Sequence, residues 1–137
     1  MALPDLAVVT RAVVHEDSTV TLLARVLVDA SNVLTAAVQS DFSTITYTVH
    51  AKDGTSVTAQ TTLTISSTIY NSLQTGNIWS TTLDKDGFTG FNFKATVAAS
   101  SFPTGATTYT VEVKFTLTGG GVFYGVFEPT TRQLQSS

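Results

Sequence analysis

With cysteine absent, two histidines and ten carboxylates are the residues of this chain best suited to metal binding and to acid–base work near neutral pH. His15-Glu16-Asp17 puts an imidazole beside two acids. A zinc protease needs His-Glu-x-x-His on a helix, so that two imidazoles share one face. Position 19 is Thr and both flanks read as strands, so the triplet reads as a charged turn. The stretch LDKDGFTG at 83–90 echoes a calcium loop, with Asp84 and Asp86 as third and fifth positions and Gly87 as the sixth. That register puts Thr82 first and Phe93 twelfth, where a bidentate Glu is required. Two essential oxygen ligands are missing, and an Asp-Gly turn accounts for the segment.

His50 falls on the polar side of its strand and reads as a surface histidine, with no acid partner assignable from the chain alone. No Gly-x-Ser-x-Gly elbow is present to expose a serine nucleophile. Glu112 stands beside Lys114 on a solvent face and Glu128 precedes Pro129, so no carboxylate pair assembles for glycoside hydrolysis. Gly119-Gly120-Gly121 precedes a strand, whereas a phosphate loop feeds a helix N-terminus. No catalytic, cofactor-binding or metal residue is assigned, no cofactor is expected, and an enzyme is not the expected class.

The elements that would carry these residues are mostly strands. Tyr109, Val111, Val113, Phe115 and Leu117 alternate with Thr110, Glu112, Lys114 and Thr116, the period-two signature of a half-buried strand. Ile45, Tyr47, Val49 and Ala51 alternate with threonines and His50. That run stops at Lys52-Asp53-Gly54, a type I′ hairpin signal, and Val57–Ser66 returns from it. Leu6–Val14, Thr19–Val28, Phe91–Val97 and Val122–Phe127 are further strand candidates; Ala36–Phe42 fits either an edge strand or a loop. Residues 68–76 break the rhythm and read as one helical turn stopped by Gly76. Pro129 is expected to end the last strand, leaving residues 129–137 as a polar tail. About seven to eight strands in one domain over 1–137, with 1–5 as an N-terminal arm, imply an all-β, antiparallel, immunoglobulin-like β-sandwich, although the Cys…Trp…Cys pattern of antibody domains is absent.

Composition limits the partners. Charged residues make up 12% of the chain and hydrophobic ones 42%, with a net charge of −3. The seven basic residues are scattered and no two are adjacent, so neither nucleic acid nor an anionic membrane is an expected partner. No apolar stretch approaches the roughly 20 residues of a membrane helix. The opening Met1-Ala2-Leu3-Pro4-Asp5-Leu6 lacks a basic region, so no secretory leader is expected, and synthesis in a cytoplasm is.

The aromatics point to an interface. In Val122–Phe127 both sides of the strand are apolar: Val122, Tyr124 and Val126 on one, Phe123 and Phe127 with Gly125 on the other. A strand apolar on both sides has both faces covered. The expected cover for Phe123 and Phe127 is another subunit, the alternative being the chain's own Tyr70–Trp79 segment folded over the strand with Trp79 as a core plug. The first makes Phe123, Tyr124 and Phe127 candidate interface residues together with Trp79 and Tyr70. Trp79, Tyr70 and Tyr124 would also serve as a stacking platform in a carbohydrate- or host-surface-binding module.

The order ITYTV…DG at 45–54, FPTG at 102–105, YTVEVKF at 109–115 and G…FYGVFE at 121–128 resembles small β-sandwich structural proteins of tailed bacteriophages and, more distantly, the immunoglobulin-like domains of phage baseplate proteins. The resemblance covers the C-terminal two-thirds of the chain. It implies a virion component: a capsid decoration (cement) protein forming a homo-oligomer on the major capsid protein, or an accessory protein of the neck, tail or baseplate. No functional residue carries over from it.

Overall fold

The computed structural model of the protein describes residues 5–6, 13–30, 32–74 and 90–133. Its strands, in chain order, are β1 (Asp5–Leu6), β2 (Val13–His15), β3 (Val20–Ala24), β4 (Val26–Ala30), β5 (Val33–Ala36), β6 (Phe42–His50), β7 (Ser56–Leu63), β8 (Ile69–Gln74), β9 (Phe91–Val97), β10 (Thr110–Leu117), β11 (Val122–Phe127) and β12 (Thr130–Arg132). One helical turn, α1 (Ile65–Thr68), and two 3-10 turns, Gln39–Asp41 and Ala99–Ser101, complete the described elements.

The architecture is an all-β sandwich. One layer is the antiparallel sheet β11-β10-β6-β7, the other the antiparallel sheet β3-β9-β8. β4 pairs with β1 and β5, and β12 pairs with β2 in parallel. Strand alternation supplies the core: Ile45, Val49, Val111, Val113 and Phe115 come from the first layer, and Val20, Leu22, Phe93 and Val97 from the second. Phe93 joins the layers, its ring 5.4 Å from Phe115 and 5.9 Å from Phe127 between centroids.

β3 and β4 are one run interrupted at Arg25, and there the chain changes sheets. Ala24 opposes Phe93, the last rung with β9. At Val26 the side chain of Asn92 takes over the role of a strand: Oδ1 accepts the Val26 N–H at 2.7 Å, and Nδ2 donates to the carbonyls of Val26 at 3.0 Å and Ala37 at 2.9 Å. Buried main-chain polar groups must be paired; the Val26 carbonyl also accepts the Ala37 N–H at 2.9 Å, and the Asn92 amide supplies the acceptor for the Val26 N–H. Asn92 is wholly buried although period-two reading puts it on the outward side of β9.

Several local expectations change. The hairpin of β6 and β7 forms, but only Gly54 has positive φ (88°), and its N–H bonds the Ala51 carbonyl at 2.9 Å. That is a tight turn followed by a left-handed glycine, not the type I′ turn, which needs positive φ at two positions. The helical turn lies at Ile65–Thr68, not 68–76; Ile69–Gln74 is strand β8 because buried Ile69 pairs with Phe93. Gly76 lies outside the described residues. Pro129 does not end the sheet structure: its carbonyl accepts the Tyr109 N–H at 2.9 Å, and β12 follows at once. Proline lacks only the donor, and the ladder resumes one residue later.

Tyr109 stands immediately before β10, 2% exposed, and its hydroxyl accepts the Thr104 N–H at 2.9 Å and donates to the Thr104 carbonyl at 3.3 Å. The contact pins the loop leading into β10.

Candidate interaction face

β11 is packed by its inner side. Phe123 is 9% exposed and Phe127 wholly buried; Phe123 stacks on Phe115 and lies 6.5 Å from Phe42 between centroids. Phe123 and Phe127 are therefore covered by the protein's own core, not by another subunit, and both leave the set of candidate interface residues. Either side of the strand had enough apolar character to turn inward. The two large rings fill the interior beside buried Gly125, and the smaller Val122 and Val126 face out with Tyr124.

The outward side is the notable surface. Val122, Tyr124 and Val126 are 43%, 58% and 39% exposed, and they are three of the four exposed large apolar residues among those described. Pairing with β10 sets Thr116 beside Val122, Lys114 beside Tyr124 and Glu112 beside Val126. β6 continues the rows with Thr44, Thr46 and Thr48, and Gln60 of β7 donates to the Thr46 hydroxyl at 3.0 Å. The result is a sheet face with an apolar stripe along its border, then the row Glu112, Lys114 and Thr116, then the threonines of β6, of which Thr46 is buried.

His50 has a partner that the linear sequence did not reveal. Its Nε2 lies 2.8 Å from Glu112 Oε1, because antiparallel pairing puts Thr110 opposite His50 and Glu112 one outward position further on. Glu112 thus contacts a histidine rather than forming the pair with Lys114 that their spacing suggested. His15 is exposed at the end of β2, and Asp17 takes the left-handed conformation (φ 57°) in the turn that follows. Among the described residues no group of three His, Cys, Asp or Glu side chains is arranged to hold a metal ion. No described helix is long and apolar enough to cross a membrane.

The other candidate aromatics do not join this face. Tyr70 is half-buried on β8, in the opposite layer, its ring edge-on to Phe91 at 5.9 Å. Trp79, Asp84 and Asp86 lie outside the described residues. The chemistry available to the face around Tyr124 is contact: burial of three apolar side chains flanked by hydroxyl, ammonium and carboxylate groups. Comparison with protein-family models, curated proteins and solved structures returns no match.

Proposed function

We propose that this chain is a non-enzymatic structural component of a phage virion, a capsid decoration protein that binds the particle surface through oligomeric contacts. The observation that carries the reading is the stripe Val122, Tyr124 and Val126, left exposed on a strand whose inner side is already fully packed. Exposed apolar residues in a contiguous row, bordered by polar ones, are the usual mark of a contact surface. The threonine-rich rows behind the stripe extend the area available to a neighbour, and repetition over a symmetric lattice would multiply a modest affinity. The phage resemblance of the 45–54 and 102–128 segments supplies the particle; neck, tail and baseplate are the other places where such a module would serve.

The same reading takes the sandwich as immunoglobulin-like. Two features support it: the order β11-β10-β6-β7 against β3-β9-β8 is compatible with a variable-type arrangement, and the contact of the Tyr109 hydroxyl with the Thr104 backbone is of the tyrosine-corner kind.

Co-sedimentation tests the assignment. The purified protein is expected to pellet with particles assembled from the structural genes adjacent to its own, and Tyr124→Asp is expected to leave it in the supernatant. Failure of the unaltered protein to bind capsids or tails would overturn the virion reading.

A further inference from the structure

A groove of about 440 Å³ opens along one flank of the sandwich, between Thr62 and Leu63 of β7 with the following Thr64 on one side and Lys94–Thr96 of β9 on the other, with α1 and Tyr70 also lining it. Its origin is topological. β8 meets β9 at Ile69 and Phe93, and one more antiparallel rung would set residue 68 beside Lys94. The chain turns into α1 there instead, so among the described residues β9 has no ladder partner on that side beyond Phe93. The volume falls within the range of small-molecule sites.

The lining has a definite chemistry. Five of its nine residues are Thr or Ser, and none is acidic. Thr68 is 3% exposed, yet its hydroxyl forms no hydrogen bond with another described residue. Because the one buried side-chain polar atom without a partner among the described residues is Asp29 Oδ1, the Thr68 hydroxyl is open to the groove and free to donate to and accept from a group placed there. Lys94 is exposed at the rim and makes no ion pair with a described residue, on a chain whose net charge is negative. Tyr70 borders the groove with its ring braced by Phe91.

We propose that this groove binds an acidic sugar of the uronate type. The carboxylate would meet the Lys94 ammonium, the sugar hydroxyls would exchange hydrogen bonds with Thr68 and its neighbours, and the apolar side of the ring would lie against Tyr70. Hydroxyls both donate and accept, which suits a polyol better than a bare oxyanion that only accepts. An extended acidic peptide added to the β9 edge is the competing occupant, but it would bind by main-chain groups and make no use of the Thr68 hydroxyl. The proposal is independent of the contact face around Tyr124, because β11 and β7 are the opposite edges of their four-stranded sheet and only β7 borders the groove.

Titration of the ¹⁵N-labelled full chain with digalacturonate, lactose, acetate and triglutamate, followed by amide shifts, tests it. Digalacturonate is expected to shift residues 62–70 and 94–96 and to bind about tenfold more tightly than lactose or acetate. Lys94→Met should weaken it about tenfold and the near-isosteric Thr68→Val severalfold, with the rest of the spectrum and the oligomeric state unchanged. No shift at the groove, affinity unchanged by both substitutions, acetate matching digalacturonate, or tighter binding of triglutamate would each overturn the proposal.

Discussion

The rings of Phe115 and Phe123 lie parallel, 4.7 Å apart between centroids and 8° between planes, and this stack fixes which side of β11 faces the core. With Phe123 held inward, period two sends Val122, Tyr124 and Val126 outward. The contact face thus depends on a core pair that never touches it.

Adjacent residues on β11 should therefore respond in opposite ways. Phe123→Ala leaves a cavity beneath the strand and is expected to cost about 3–5 kcal/mol. Tyr124→Ser, at an exposed position, should change stability by no more than about 0.5 kcal/mol. Urea unfolding of the two variants checks this, and equal losses would contradict the assigned orientation.

Asn92 should be among the least replaceable polar residues described. Asn92→Leu removes the only described partner of the Val26 N–H together with the donor to Ala37, and at about 1–3 kcal/mol per stranded group the loss should reach about 3–5 kcal/mol. Asn92→Asp should be no gentler, because it keeps the acceptor and points an oxygen at two carbonyls. Thermal melts of both variants beside Lys94→Met, a change on the outward side of the same strand, give the comparison.

Tyr109→Phe isolates one hydroxyl. Its loss leaves the Thr104 N–H without its acceptor and should cost about 1–2 kcal/mol, read as a lower urea midpoint at unchanged slope. An effect within error would mean that the loop before β10 is held by its other contacts.

The β6–β7 turn carries a pH signature. The Asp53 carboxyl is held below the ordinary aspartate range, chiefly by the Thr55 backbone amide donating to it at 2.9 Å and next by the Thr55 hydroxyl. A depressed folded-state value stabilises the protein above the unfolded-state value, and that contribution disappears as pH falls through the folded one. NMR titration should find the Asp53 midpoint below that of an unstructured peptide, and Asp53→Asn should remove this part of the acid dependence. An ordinary midpoint would refute it.

Much of the sandwich was legible because alternation is a local property. β10, the β6–β7 hairpin and the inward set from Val111 to Leu117 follow from residue order. The misread features depend on partners distant in sequence. Asn92 sits at an outward-looking position but turns into the core because Val26, 66 residues away, leaves its sheet there. Ile69 joins a strand through Phe93, although its neighbours fit a helical turn equally well. Thr131 is buried because β2 lies beside it, which nothing in the polar tail announces. The candidate site was half legible: apolarity on both sides of Val122–Phe127 marked the strand, but choosing the inner side required Phe115 and Phe42. The pairing of His50 with Glu112 required the register between β6 and β10.

Light scattering on the unaltered chain and on the double variant Tyr124→Asp/Val126→Asp tests the central claim most directly. The account predicts a mass that is a multiple of 14.5 kDa for the unaltered protein and a single-chain mass for the variant, with matching thermal melts. A monomeric unaltered protein at high concentration, or a variant that keeps the oligomeric mass, would contradict the assignment of the β11 face as the contact surface.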